Sequence, residues 1–190
     1  KNVPPKCDPL GSENHLLFCT SLFAGTKLTT ANRLSVGGKS PLTGGIKESN
    51  VGGYAATLLS EHGIRLIAVK NLPDNDGLWI LHIDDKGNTR LENAEMYKGL
   101  NNYELVAKLR ERFGTKLATI SIGSAGERLY KSASIQVSEF NSGHPCRAAA
   151  RGGLGALMGS KHLKAIVIEK PEKRYEIQYA DELRFNEACM

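Results

Sequence analysis

Short apolar runs, bounded by glycine, asparagine and other turn-forming residues, dominate the chain. Residues 14–20 and 64–69 are compact apolar runs, and residues 78–83 are followed by a turn at 84–88 and a second strand, as in a β-hairpin. The pattern predicts strands at 14–20, 33–36, 64–69, 78–83, 89–92, 117–122, 130–137 and 165–169.

Helical spacing of apolar residues is confined to a few segments. Residues 54–62 end at Gly63, residues 101–113 begin with asparagine and are followed by Gly114, and a third helix is predicted at 157–163. Residues 181–185 form a charged helix start. The stretch 24–53 is rich in Gly, Ser, Thr and Asn, so we expect it to be loop apart from its short strand.

Strands and helices mix without strict alternation, which predicts an α+β fold with mixed or antiparallel sheets and few helices. We expect residues 1–170 to form one domain and residues 171–190 to be a linker and the start of a further, absent domain. The chain begins at Lys1 without an initiator methionine, so we also expect it to be truncated at its start.

Composition and charge restrict the classes of molecule that the chain is expected to bind. The formal net charge is +5, with Lys and Arg scattered and not grouped in a block, which argues against nucleic acid and suits small anionic ligands. No apolar run reaches the roughly 18 residues of a membrane span. The four cysteines form no Cys-x-x-Cys pair, so zinc or iron–sulfur ligation by this chain is unsupported, and a reducing cytoplasm is the expected compartment. We expect Cys19 to be buried.

Two glycine doublets lie one hundred residues apart in similar surroundings. Gly52-Gly53 is followed by alanines, a serine, a histidine and an apolar strand, and the same types recur in register after Gly152-Gly153. Each unit has the order glycine doublet, short helix, strand. The repetition predicts an internal duplication.

The doublets predict an anion site. Glycine lets a ligand approach the backbone, and the first turn of a helix offers free N–H groups at the positive end of its dipole. Asn50 precedes the first doublet, while Arg147 and Arg151 precede the second, and arginine can bind phosphate oxygens through two parallel hydrogen bonds. The alternative is that these are tightly packed helix starts with solvated arginines; the two doublets together with two arginines favour a ligand with two phosphates.

The second doublet lies within a longer motif. The run 147–161, RAAARGGLGALMGSK, closely resembles the amino-terminal domain of tungsten-containing aldehyde ferredoxin oxidoreductases. Other segments resemble that family in the same order, at 8–14 (DPLGSEN), 39–45 (KSPLTGG), 49–54 (SNVGGY) and 121–127 (SIGSAGE). The resemblance covers residues 8 to about 169.

The resemblance implies a metal held by two pterin cofactors, tungstopterin or molybdopterin, whose phosphates are bridged by magnesium. It implies that Arg33, Gly52, Arg147 and Arg151 contact pterin or phosphate, and that the backbone carbonyls of Asn50 and Ala148 bind magnesium, a hard cation that prefers oxygen ligands. The predicted cofactor-binding set is Arg33, Asn50, Gly52, Gly53, Arg147, Ala148, Ala150, Arg151 and Gly152.

The resemblance also implies oxidation of a small aldehyde to a carboxylic acid, with ferredoxin accepting the electrons through a [4Fe–4S] cluster that belongs to the full-length protein only. The remaining domains of the same enzyme are the expected partners, and a homodimer is left open. No catalytic residue is predicted in this chain, which supplies binding and orientation to the cofactor. The chain departs from the family at Ala150, where glycine is usual, and at Pro145-Cys146 and Ser124.

Another class of function remains open, namely a non-catalytic phosphate- or nucleotide-binding module. The segment 122–126 (IGSAG) is weakly similar to a dinucleotide loop, but it lacks the third glycine. For His62 and His162 we expect capping or surface roles at helix ends, and for Asp84-Asp85 a hairpin turn.

Overall fold

A computed structural model of the chain describes residues 3–189. Residues 1–2 of the predicted domain and residue 190 of the predicted linker segment lie outside that range. A four-stranded antiparallel sheet has the order β3-β2-β1-β4, formed by β1 (Leu16–Thr20), β2 (Leu34–Lys39), β3 (Ile46–Val51) and β4 (Leu66–Val69). A six-stranded sheet has the order β6-β5-β10-β7-β8-β9, formed by β5 (Trp79–Ile83), β6 (Thr89–Asn93), β7 (Leu117–Ser121), β8 (Ile135–Val137), β9 (Arg147–Ala149) and β10 (Leu163–Glu169). Among the strand pairs of residues 3–189, only β5–β10 is parallel.

The described residues form five α-helices: α1 (Ala55–Glu61), α2 (Asn102–Phe113), α3 (Ser124–Glu127), α4 (Leu154–Ser160) and α5 (Glu182–Ala188), with one 3-10 turn at Glu95–Tyr97. None of these helices has the length and apolar character of a membrane span. The predicted α+β class, with mixed sheets and few helices, is confirmed.

Helices α1 and α4 lie between the two sheets, since each contacts strands of both. Every residue of α4 is buried, and its apolar side chains join the main core with those of β1, β2, β7 and β10. Helix α2 covers the other face of the six-stranded sheet over a second core that includes Tyr97, Leu105 and Leu109. The layers are therefore sheet, helix pair, sheet and helix.

Local capping fixes the helix ends that the sequence predicted. Helix α1 ends in a Schellman motif, because the Gly63 amide donates to the Ser60 carbonyl at 2.9 Å and the Ile64 amide to that of Leu59 at 2.8 Å. Helix α2 begins with a capping box between Asn101 and Glu104 and ends at Gly114.

Three predicted boundaries are wrong. The stretch 24–53, expected to be loop apart from residues 33–36, contains all of β2 and β3. Strand β3 was not predicted because it is an edge strand whose only buried residues are Ser49 and Val51, which gives no apolar alternation. Helix α4 spans Leu154–Ser160 and not 157–163, and its glycines lie where it packs against backbone atoms of neighbouring segments. Of the predicted strand 130–137, only Ile135–Val137 is extended and paired.

The two glycine-doublet units share the predicted order, since α1 and α4 each have seven residues and a strand follows each. The strands occupy different places, however. Strand β4 is an edge of the four-stranded sheet, whereas β10 lies within the six-stranded sheet between β5 and β7. The internal duplication therefore stays a prediction.

Cysteine burial differs from the expectation. Cys19 is exposed, because it lies on the outward face of β1 while Leu16, Phe18 and Thr20 point inward. Cys7 is buried and Cys146 is exposed.

Candidate functional site

The edge strands β3 and β9 contact each other although they belong to different sheets. The backbone amide of Arg151 donates to Ser49 Oγ at 3.3 Å, and Ser40 Oγ donates to the Gly152 carbonyl at 2.7 Å. These bonds join segments that are about one hundred residues apart, so the regions around both glycine doublets lie along one edge of the molecule.

Arg33, Asn50 and Gly52 form one group on this edge. Arg33 Nε donates to Asn50 Oδ1 at 2.6 Å, and Asn50 Nδ2 donates to Ser35 Oγ at 3.4 Å across the β2–β3 pair. A Cβ added at Gly52 would lie 3.1 Å from Arg33 Nη1, so glycine leaves room for the guanidinium. Arg33 and Asn50 are both exposed, which keeps the remaining guanidinium N–H groups available to a ligand.

The first doublet also contacts β8, and through it the Arg147 segment. A Cβ at Gly53 would lie 2.8 Å from Val137 Cγ1, and Val137 is the cross-strand partner of Arg147. The Tyr54 amide donates to the Ser138 carbonyl at 2.8 Å, and the Tyr54 ring meets Phe140 edge-on with centroids 4.7 Å apart. Burial raises the pKa of the Tyr54 hydroxyl, and the charge of Glu61 acts in the same direction.

Arg147 is paired with Glu139 in the β8–β9 loop. Arg147 Nη2 donates to Glu139 Oε2 at 3.2 Å, and 56% of the Arg147 side chain remains exposed. The neighbouring predicted residues Ala148, Ala150 and Arg151 are exposed too. Within residues 3–189, neither Arg33 nor Arg151 forms an ion pair with a carboxylate.

We call this surface the β3–β9 rim and define it by Arg33, Asn50, Gly52, Arg147, Ala148, Ala150 and Arg151. It carries three arginines, and Glu139 balances only one of them. A surface with this excess of positive charge, and with guanidinium groups that can each make several hydrogen bonds, suits a phosphate-bearing ligand. The predicted site residues therefore converge on one edge.

The structure gives the doublet glycines a packing role, while their predicted contact with a cofactor stays a prediction. At Gly152 and Gly153 a Cβ would collide with the Lys47 side chain and the Lys131 carbonyl, and both glycines are buried. At Gly53 it would press on Val137 and Ser138. These three glycines allow protein segments to pack closely, and the first turns of α1 and α4 are buried in the core. The exposed arginines, and not helix openings, are the groups that can contact an anion.

Two groups of the site were missed by sequence reasoning. Glu139 lies in a segment without a recognisable motif, and Ser49 lies in the quoted segment 49–54 but was not singled out; strand pairing brings both beside the arginines. Across residues 3–189 no three His, Cys, Asp or Glu side chains are arranged to hold a metal ion, so the structure adds no side-chain metal centre to the two predicted backbone ligands.

Other candidate residues have structural roles, as expected. His62 follows α1 and its Nε2 lies 2.8 Å from the Glu169 carbonyl, while His162 follows α4 with Nδ1 3.2 Å from the Gly77 carbonyl. Asp84 accepts the backbone amides of Lys86 and Asn88 in the hairpin turn.

The segment 122–126 does not form a dinucleotide loop. Helix α3 is a single turn, a Cβ at Gly126 would meet Ile122 and the Gly155 carbonyl, and Glu127 pairs with the buried Lys164. Its glycine serves packing against α4, so this segment lends no support to a nucleotide-binding function.

Comparisons with known proteins identify the family of the chain. Residues 1–170 match the family model described as "Aldehyde ferredoxin oxidoreductase, N-terminal domain". A tungsten-containing aldehyde ferredoxin oxidoreductase of Pyrococcus horikoshii is 40% identical over 188 residues, which are 98% of this chain and 29% of that protein. An aliphatic sulfonate oxidoreductase, WOR-like subunit, of Pyrococcus furiosus is 28% identical over 175 residues, covering 85% of this chain and 26% of that protein.

A solved structure has the same fold. The active-site complex BamBC of benzoyl coenzyme A reductase, in complex with 1,5-dienoyl-CoA, superposes with a TM-score of 0.82 at 31% identity, over 90% of this chain and 25% of that one. The chain thus spans less than a third of the length of these relatives. On this evidence the chain belongs to the aldehyde ferredoxin oxidoreductase family, of which it carries the N-terminal domain.

Proposed function

We propose that the β3–β9 rim binds the phosphate groups of a tungsten- or molybdenum-pterin cofactor within a larger oxidoreductase. The observation that carries this proposal is the meeting of Arg33, Asn50 and Gly52 with Arg147 and Arg151 on one exposed edge, from segments about one hundred residues apart. The tungsten named for the relative from Pyrococcus horikoshii supports the choice of metal.

The residues of the rim fit such a group. Arg33 is exposed and its Nε is fixed on Asn50, so its Nη groups can donate to a phosphate. Arg151 has an exposed guanidinium, and Ser49 fixes its backbone. The backbone carbonyls of Asn50 and Ala148 lie on the two adjoining edge strands, and they are the proposed magnesium ligands.

When bound, the metal-pterin group would supply the redox chemistry, which we propose to be oxidation of an aldehyde to a carboxylic acid. The residues of this chain would bind and orient the phosphate end. Further domains would complete the site, and electrons would leave through a [4Fe–4S] cluster to ferredoxin. The aldehyde is proposed from the relative that is 40% identical, whereas less similar relatives are named for a sulfonate and for benzoyl coenzyme A.

Arginine substitutions combined with an anion probe test the proposal. Isothermal titration with inorganic phosphate should show binding that Arg33→Gln and Arg147→Gln each weaken about two- to fivefold, as expected for exposed charge-assisted bonds. Arg128→Gln is the matched control, because Arg128 is exposed and has no ion pair within residues 3–189. Equal affinity in all three variants would contradict the proposal.

Elemental analysis of the anaerobically purified full-length protein, with the domains that complete the site, extends the test to the whole cofactor. Tungsten or molybdenum together with magnesium is the expected result. Tight micromolar binding of a mononucleotide without metal would instead favour the alternative of a non-catalytic phosphate- or nucleotide-binding module.

A further inference from the structure

We infer that Glu139 is a positioning residue for Arg147, which it holds on the β3–β9 rim ready for a phosphate. This inference rests on the proposed function, because it assigns the phosphate as the anion that Arg147 meets. The carboxylate itself contacts the arginine and the loop of residues 138–146, and it has no role in ligand contact.

The two carboxylate oxygens of Glu139 have separate partners. Oε2 accepts from Arg147 Nη2 at 3.2 Å, and Oε1 accepts from Ser142 Oγ at 2.7 Å and from the Ser142 amide at 3.4 Å. The Glu139 amide donates to the His144 carbonyl at 3.0 Å. The carboxylate is therefore fixed by its own loop before it contacts the arginine.

The loop is in turn fixed on the first glycine doublet. Phe140, next to Glu139, packs edge-on against Tyr54, and the Ser138 carbonyl accepts the Tyr54 amide. Arg147 approaches the same place from β9, opposite Val137. Glu139 thus sets the direction of Arg147 relative to the backbone of Gly52 and Gly53.

The two paired arginines of the rim differ in the charge of their partners. Arg33 is fixed by the neutral amide of Asn50, whereas Arg147 is fixed by a carboxylate. Hydrogen bonds from the side chain and amide of Ser142, with help from Arg147, hold the pKa of Glu139 below its ordinary value, so it is charged at neutral pH.

Glu139 has two effects on an arriving anion, and they have opposite signs. Its charge repels a phosphate and competes for the guanidinium. Its hydrogen bond removes rotamer freedom that Arg147 would otherwise lose on binding, which makes binding easier. An experiment must therefore separate the acceptor from the charge.

Glu139→Gln and Glu139→Ala provide that separation, because both are neutral and only glutamine keeps an acceptor oxygen for Arg147. In titrations with inorganic phosphate we expect Glu139→Gln to bind at least as tightly as the wild type. We expect Glu139→Ala to bind about two- to tenfold more weakly than Glu139→Gln, the cost of ordering one long side chain.

A ligand-free readout complements the titration. Nitrogen-15 relaxation of the Arg147 guanidinium should show faster rotation in Glu139→Ala than in Glu139→Gln and the wild type. Equal affinity and equal Arg147 motion in the two variants would overturn the positioning role while leaving the proposed function intact. If Arg147→Gln itself leaves phosphate binding unchanged, the proposed function fails at Arg147 and this inference fails with it.

Discussion

Gly153 shows how a single residue can be fixed by conformation and by surroundings at once. It precedes α4 with a φ of +67°, in the left-handed region, and an added Cβ would collide with the Lys131 carbonyl. Glycine is needed here for packing, and not for ligand approach as the sequence suggested. The close contact between α4 and the segment before β8 therefore explains why this position of the motif is glycine.

Gly153→Ala should lower the free energy of unfolding by about 2–4 kcal/mol, because alanine adds left-handed strain and a steric clash. Urea denaturation measures the change. Gly44→Ala is the matched control, since Gly44 has a φ of +73° and no atom within 4 Å of an added Cβ. It should cost only about 1 kcal/mol, and an equal loss in both variants would mean that strain alone explains Gly153.

A second residue-scale feature is the buried His82, whose ring nitrogens face Glu92 Oε1 at 3.0 Å and Glu169 Oε1 at 2.7 Å. Burial tends to raise the pKa of Glu92, but hydrogen bonds from Arg90 and His82 and the charge of Arg112 outweigh it, so the pKa lies below its ordinary value. The charged carboxylate therefore stabilises the folded state.

This stabilisation should be complete above the unfolded-state pKa of Glu92, about 4.3, and should be lost as the pH falls through the lower folded-state pKa. Urea denaturation between neutral and acidic pH should show a smaller acid loss of unfolding free energy in Glu92→Gln than in the wild type. Glu111→Gln is the control, because Glu111 is exposed and has no ion pair in the described range. Identical acid profiles for Glu92→Gln and the wild type would refute the assignment.

At the scale of elements, the helix pair α1 and α4 is the centre of the fold. Both helices contact both sheets, and α4 is buried on all sides. Leu157 of α4 is completely buried, and its Cδ2 would lie 2.7 Å from a Cβ added at Gly38 of β2. The helix pair holds the two sheets in the relation that brings β3 beside β9.

Leu157→Ala should therefore destabilise the protein by about 2–5 kcal/mol through lost burial and a cavity between the sheets. Leu183→Ala is a suitable control, since the Leu183 side chain on α5 is 79% exposed and its truncation should change stability by less than about 0.5 kcal/mol. Chemical denaturation of the two variants makes the comparison. A loss below about 1 kcal/mol for Leu157→Ala would show that α4 is not a packed element of this core.

At the scale of the whole molecule, the elements predicted correctly from the sequence are those whose ends are fixed by neighbouring residues in the chain. Helix α2 carries its own asparagine cap and terminal glycine, and the hairpin of β5 and β6 carries its own turn, so both were predicted. Strand β3 was missed, because edge strands need little apolar alternation. The pairing of Glu139 with Arg147 depends on the β8–β9 register, which no local pattern reveals.

The candidate site also combines residues that local motifs reveal with contacts that only the folded chain creates. The arginines and Asn50 could be selected from their motifs, and the structure brings them together. The packing role of the doublet glycines was not predicted, because sequence alone does not distinguish a glycine that faces a ligand from one that faces a packed neighbour. All four doublet glycines face protein atoms of distant segments, which at Gly52 is the guanidinium of Arg33.

Amide chemical-shift mapping during titration with inorganic phosphate tests the central claim most directly. Saturable shifts should appear together at Asn50, Gly52, Arg147 and Arg151, with none at Gly99 or Gly114, which lie outside the β3–β9 rim. Saturable shifts confined to other surfaces, or to only one of the two edge strands, would contradict a shared phosphate-binding rim.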